Sequence, residues 1–322
     1  MRDLSVLIPA REEQFLPNTI NDILENREAD TEVIVVLDGY KPHFGRRQER
    51  LWNESGRVTL IHVEEPVGQR GGVNLAARHS NSKYVMKLDA HSAVDKGFDV
   101  KLMSDCEPNW TVIPRMYNLH VFDWECIQCG DRYYQADPVP TCTKCSGNEF
   151  KQTIVWKPRI KMRTDFARFD NTMHFQYWRG YDKRPEASGN IADVMSSVGA
   201  CFFMHRDRFY ALEGLDEKTG FWGQFGTEIS CKSWLSGGRQ VVNKNTWYSH
   251  FFRVGKLKFP YQISGNQQDR AREYSRDIWF GNKWPKQVLP LSWLVKKFWP
   301  VKDWTDMDLE RISQVGLING CN

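Results

Sequence analysis

Apolar and polar residues alternate between two rhythms over the first hundred positions. Residues 4–9 form a short apolar run that reads as a first strand, and residues 18–26 carry apolar side chains at helical spacing. Residues 32–37 (EVIVVL) are β-branched and apolar, the pattern of a strand buried on both faces. Residues 58–63 predict a third strand, 72–79 a helix and 84–88 a fourth strand. Strands that alternate with helices predict a parallel sheet covered on both faces. Ligands of such sheets bind beyond the carboxyl ends of the strands. Asp38 and Asp89 each follow a strand, so both are expected at that rim. The rhythm breaks at residues 122–150 and turns basic and aromatic at 151–185. Sheet character returns at 194–204, loop and helix at 209–238, and a closing strand at 241–252.

The composition, 41% hydrophobic and 26% charged, is that of a folded chain and excludes a disordered one. A net charge of +4 does not by itself identify a nucleic-acid binder. The apolar run at 4–8 is too short for a secretory signal, and no stretch reaches the roughly 20 apolar residues of a membrane span. The aromatic tail at 289–304 comes closest, but Lys296, Lys297 and Lys302 interrupt it; it either lies on a membrane surface or packs on the main domain. Four cysteines cluster while Cys106, Cys201, Cys231 and Cys321 are scattered, which is not a disulfide framework and predicts a reducing cytoplasm.

The cluster is the sharpest local signal. Cys126-x2-Cys129 and Cys142-x2-Cys145 stand twelve residues apart. Four thiolates in two such knuckles close a tetrahedron around Zn2+, and with every position filled by protein the site is structural. A redox role for one pair is the weaker alternative. A second candidate, Asp89-x-His91, ends a predicted strand at the sheet rim, where a carboxylate and an imidazole two residues apart can converge on Mn2+ or a similar cation. Such an ion can bridge a diphosphate; a surface pair with no ligand is the competing reading. The remaining histidines, among them His174, show no ligand spacing.

Around Asp89 the segment YVMKLDAH resembles the Asp-x-His element of GT-A fold glycosyltransferases, most of all the polypeptide N-acetylgalactosaminyltransferases. Residues 197–253 carry further motifs in that family's order: a small-residue Gly motif, an apolar strand, a Gly-x-Asp-Glu turn, a Trp-Gly loop, Glu-Ile-Ser on a helix, a Gly-Gly turn and His-x-Phe-Arg. The resemblance implies an α/β GT-A fold, a Rossmann-like, mostly parallel mixed sheet, that takes a UDP-sugar donor. It implies Asp89, His91 and His250 as ligands of Mn2+, Arg253 on the donor diphosphate and Asp38 near the uridine. Pro9, Arg11 and Glu13 fall on the first nucleotide-contacting loop, Gly199 and Ala200 on the small residues against which the sugar packs, and Trp222 on the family's mobile loop. It also implies retention of anomeric configuration. The chain departs from the family at Trp222-Gly-Gln-Phe225-Gly-Thr-Glu228, where the family reads Trp-Gly-Gly-Glu-Asn-Leu-Glu. Phe225 replaces a carboxylate, which leaves Glu228 as the candidate base or acceptor-positioning group. The lectin domain, anchor and disulfides of the family are not seen, and the zinc ribbon is additional.

Two weaker features complete the picture. The segment 68–74 reads either as a loop that turns Arg70 to a diphosphate or as a helix entry. Lys157, Arg159, Lys161 and Arg163 alternate after the ribbon, and on a regular strand all four share one face; Arg159 and Lys161 are the candidate acceptor contacts. A face of that kind suits a nucleic acid, while a solvated strand is the plain alternative. The expected plan is a nucleotide-sugar half at 1–121, a ribbon at 122–150, an acceptor half at 151–280 and an aromatic, basic extension at 281–322, in a monomer or dimer. Three functions stay open. One is transfer to a DNA hydroxyl such as a hydroxymethylated base, as in a phage DNA-modifying glycosyltransferase. The second is transfer to protein or polysaccharide, and the third is non-catalytic nucleic-acid binding.

Overall fold

The computed structural model describes residues 1–135, 140–253, 257, 259–261 and 265–317. Its first half runs β1 (Arg2–Ala10), α1 (Leu16–Asn26), β2 (Thr31–Asp38), α2 (Arg46–Ser55), β3 (Val58–Val63), α3 (Gly68–His79), β4 (Ser82–Leu88), β5 (Ser92–Val94) and α4 (Phe98–Ser104). A long hairpin follows, β6 (Trp110–Cys126) and β8 (Phe150–Thr164), with the short β7 (Arg132–Tyr134) at its tip. The second half runs β9 (Ala167–Phe169), β10 (Phe175–Tyr177), β11 (Ile191–Asp193), β12 (Cys201–His205), α5 (Arg206–Ala211), α6 (Phe225–Leu235), β13 (Arg239–His250), α7 (Gly265–Phe280), α8 (Leu291–Lys297) and α9 (Asp306–Ser313).

The main sheet has the order β11-β13-β6-β12-β4-β1-β2-β3. β1 pairs in parallel with β2 and β4, and β2 with β3, while β12 runs antiparallel to β4 and β6. This is the mixed, mostly parallel α/β sheet that the alternating rhythm predicts. β2 is buried along nearly its whole length, as its β-branched run requires. Helix α1 places Leu16, Ile20 and Ile23 inward at helical spacing.

One expected boundary moves and two open readings are decided. β6 continues to Cys126, so residue 122 lies within a strand and the cysteine tip spans 126–150 rather than 122–150. The segment 68–74 is the first turns of α3, which settles the helix-entry reading. The tail packs on the main domain: Leu291, Leu294, Phe298, Val301 and Trp304 share one core with Val36 and Phe202. Residues 318–322, with Cys321, lie outside the described residues. No helix among the described residues is long and apolar enough to cross a membrane.

The expectation that four cations share one face of β8 fails for a geometric reason. Arg159 pairs with Asn118 and Arg163 with Tyr117, so three residues of β8 bulge out opposite a single step of β6. Side chains alternate along β6, so Lys157 and Arg159, opposite His120 and Asn118, face one side and Arg163 the other.

Candidate active site

A cavity of about 470 Å³, within the range of small-ligand sites, opens beyond the carboxyl ends of β1, β2 and β4. Pro9, Arg11 and Glu13 reach it from the end of β1, Asp38 from β2, and Asp89 and His91 from the turn after β4. His250 arrives from the end of β13, because β13 pairs with β5 and sets His250 opposite Ser92. Thr19 of α1 fixes the turn by donating to Ala90 O and accepting from Ser92 N, both at 3.0 Å.

The ligand atoms of Asp89, His91 and His250 all lie within 4.8 Å of one another. His250 Nε2 is 3.1 Å from Asp89 Oδ2 and 3.0 Å from His91 Nε2. Glu13 sets the orientation of His91, accepting from Nδ1 at 2.9 Å and from Arg253 at 2.6 Å. Burial would raise the Glu13 pKa, but His91 and Arg253 outweigh it and hold it down at about 2. Glu13 is therefore an ionised acceptor, and with Nδ1 of His91 bonded to it, Nε2 of His91 is turned toward the other two residues. Burial pushes His250 down to about 4, against the opposing pull of Asp89, so its contact with Asp89 is a hydrogen bond of a neutral imidazole and not an ion pair. Asp89 is held well below the usual carboxylate range although burial acts the other way, chiefly by Lys87 and the hydrogen bond from His250. Two imidazole nitrogens and one carboxylate, gathered within 4.8 Å, are a donor set that fits a divalent cation.

The cysteine tip passes a similar test. Sγ–Sγ distances of 3.6 Å for Cys126–Cys145 and Cys129–Cys142 are close to the edge, about 3.8 Å, of a tetrahedron with Zn–S bonds of ~2.3 Å. The Tyr133 hydroxyl, 3.3 Å from Cys142 Sγ, holds that thiol below its ordinary value.

Other expected residues take different places. Arg70 is buried and faces away from the cavity, donating to Glu228 at 2.8 Å and to the carbonyls of Gly220 and Gly223 at 3.0 and 2.7 Å. Glu228 is likewise buried, off the cavity wall, and taken up by Arg70, Lys232 and the amide of Asp216. Neither the diphosphate contact expected of Arg70 nor the base expected of Glu228 is compatible with these partners. Arg253 lies behind Glu13 rather than on the wall. Asp38 lines the cavity and accepts from the amides of Val67 and Gly68 at 2.7 and 3.2 Å. Gly199 has φ +86°, and a Cβ there would meet Gly226 N at 2.6 Å, so only glycine lets α6 approach. Ala200 and Trp222 also line the cavity, whereas Arg159 and Lys161 do not. Arg159 donates to Tyr134 Oη at 2.8 Å.

Several contributors escape the sequence reading. Lys87, fully buried, donates to Asp89 and, at 2.6 Å, to Gly199 O; its place two residues before Asp89 on one strand face was the available signal. Gln69 donates to Asp89 at 2.9 Å. His174 and Tyr177 line the cavity from either end of β10, and Phe252 and Tyr261 from the chain after β13, with no shared motif.

The Glycosyl transferase family 2 pattern matches residues 5–184, more than half of the chain, and the chain belongs to that family. Among its relatives, polypeptide N-acetylgalactosaminyltransferase 11 of Xenopus tropicalis is 26% identical over 282 residues, which cover 84% of this chain and 41% of the relative. Probable N-acetylgalactosaminyltransferase 7 of Caenorhabditis elegans is 23% identical over 259 residues, 78% of this chain and 39% of its own length. The chain thus spans about two-fifths of these relatives. The crystal structure of GalNAc-T7 with UDP, GalNAc and Mn2+ has a similar fold, with TM-score 0.65 at 15% identity over 92% of this chain and 56% of that one.

Proposed function

We propose that this chain is a metal-dependent glycosyltransferase that moves a sugar from a UDP-sugar to a hydroxyl acceptor. The observation that carries the reading is the convergence of Asp89, His91 and His250 at the wall of a cavity beyond the strand ends. The bound UDP and Mn2+ of GalNAc-T7 support the choice of ligands. A divalent cation held by these three residues would neutralise charge on the departing diphosphate. Glu13 orients His91, Lys87 and Gln69 hold Asp89, and the small Gly199 and Ala200 leave room for the glycosyl group. Zn2+ belongs to the cysteine tip as a structural ion.

Retention of configuration goes with this reading. The carboxylates that line the cavity, Glu13, Asp38 and Asp89, are each held by two or more donors. With Glu228 off the wall, no carboxylate among the described lining residues is spare to act as a base. As the sugar C1–O bond to the diphosphate breaks and the new C1–O bond forms, the acceptor proton passes to the departing phosphate oxygen.

For the acceptor we propose a hydroxyl on nucleic acid, such as a hydroxymethylated DNA base, met in a reducing cytoplasm. β8 carries Lys151, Lys157, Arg159, Lys161 and Arg163 and no acid. Lys157 and Lys161 are exposed and have no acidic partner among the described residues. Protein is the second reading, favoured by the names of the relatives. The test is a panel of UDP-sugars with Mn2+, offered hydroxymethylated DNA or a protein, with products read by mass spectrometry. A DNA adduct whose yield falls steeply with salt supports the first acceptor, and a glycopeptide supports the second. Binding of DNA without turnover of any donor would leave a non-catalytic binder.

A further inference from the structure

One wall of the cavity is made by the start of α6. The chain enters it through three left-handed positions, Gly220 (φ +101°), Gly223 (φ +94°) and Gln224 (φ +61°). Glu228 N bonds Gln224 O at 2.8 Å. The amides of Phe225, Gly226 and Thr227 therefore precede the helical ladder, at the positive end of an eleven-residue helix with no side-chain cap. This helix end abuts Ser197, since a Cβ on Gly226 would lie 1.7 Å from Ser197 O. Helix α7 closes the same wall, its Ala271 Cβ 3.7 Å from a Cβ built on Gly223.

Four buried polar atoms of this wall have no hydrogen-bond partner: Ser197 Oγ, Thr227 Oγ1, Gln224 Oε1 and Arg272 Nε. All four residues line the cavity, and Ser197 and Thr227 are only 4% and 1% exposed. Buried groups of this kind are as a rule satisfied, so a cluster of them on one cavity wall points to a ligand. Phe225, at the place of the family's carboxylate, takes one negative charge off this wall, and the Arg70 and Lys87 cations beside its ring are already paired with Glu228 and Asp89. Arg272 has no acidic partner among the described residues, and the three lining carboxylates, Glu13, Asp38 and Asp89, come from the strand ends.

We infer that this wall binds a carboxylate on the glycosyl group of the donor, so that the substrate is a nucleotide hexuronate rather than a neutral nucleotide hexose. The inference rests on the nucleotide-sugar reading above. Two hydroxyls, the leading amides of α6 and a guanidinium are all hydrogen-bond donors, and one oxyanion uses them together as a neutral hydroxymethyl group does not. Gln224 Oε1 is left to accept from a neighbouring sugar hydroxyl.

The test is calorimetric titration of the full chain, in Mn2+ and without acceptor, with UDP, UDP-glucose, UDP-glucuronate and UDP-galacturonate. A uronate should bind at least about tenfold more tightly than UDP-glucose, the size expected of charge-assisted hydrogen bonds. Arg272→Gln and Thr227→Val should each remove most of that advantage and leave UDP affinity unchanged, and Arg272→Lys should keep part of it. Equal or tighter binding of the neutral sugar overturns the inference, as does an advantage that survives both variants. In either case UDP still binds. Failure of UDP itself to bind would instead bring down the nucleotide-sugar reading, and this inference with it.

Discussion

Replacing Arg70 with Met separates a structural role from a diphosphate role. Arg70 is 1% exposed, and its guanidinium joins Glu228 to the loop that carries Trp222 through Gly220 O and Gly223 O. Removing one partner of a buried ion pair costs about 3–5 kcal/mol, because the other charge is stranded. Here Lys232 Nζ still faces Glu228 at 3.3 Å, and the bonds to the two carbonyls are only partly buried. The lower end applies, about 3 kcal/mol, which is more than a hundredfold in the folding equilibrium. Urea unfolding followed by tryptophan fluorescence measures it, the midpoint falling at constant slope. Adding Glu228→Gln to Arg70→Met should recover at least half of the loss, since the stranded charge is then gone. An arginine that faced a diphosphate would behave otherwise. If Arg70→Met unfolds within about 0.5 kcal/mol of the parent, the size of an ordinary surface substitution, and loses UDP affinity instead, the structural assignment is wrong.

Three further outcomes are expected. Glu13→Gln removes the acceptor that orients His91 and should weaken Mn2+ binding by about 10–100-fold; spin-resonance titration reads it, and a change of less than threefold would count against the role. One equivalent of zinc should co-purify, and Cys126→Ser should melt the tip, which a structural zinc stabilises by on the order of 10 kcal/mol, while UDP affinity is retained; elemental analysis and limited proteolysis report on both. Burial raises the Asp22 pKa from 3.8 to about 6. A raised folded-state value means that the favourable contribution is present below the unfolded pKa and lost as pH climbs through the folded one. The parent should therefore be less stable at pH 7 than at pH 4 by up to ~3 kcal/mol from this group. Asp22→Asn should abolish that part of the pH dependence, and an unchanged profile would refute the assignment.

The parallel half of the fold is legible because its signals are local. The β-branched run of β2 and the periodicity of α1 declare themselves within one window, and Asp38 and Asp89 follow at strand ends. Asp89, His91 and the four cysteines are legible as short motifs. His250 is named through resemblance alone, because its partner is brought by the pairing of β13 with β5 from some 160 residues away. Arg70 and Glu228 mislead because a charged residue beside a glycine-rich turn looks the same in sequence whether it points into a cavity or into the core. The bulge in β8 is equally silent, since a strict alternation of cations gives no sign that the backbone abandons its register.

The long hairpin has a consequence for protein engineering. Phe122 of β6 packs with Phe15 and Phe251, neighbours of Glu13 and His250, at ring separations of 6.0 and 6.3 Å. The lower part of the hairpin is thus masonry behind the candidate site, and the tip above it is bound in through Gln135. Cys126 and Phe150 face each other across the two strands, about 5 Å apart as cross-strand neighbours are. A short turn grafted between them would excise the ribbon but also Gln135, whose buried side chain bonds the backbone of Leu119, Val121 and Phe122, so a graft has to put an amide side chain back in that place before the two stumps can receive another small domain. A cut at residue 122 would instead pull a stone from beneath the cation ligands.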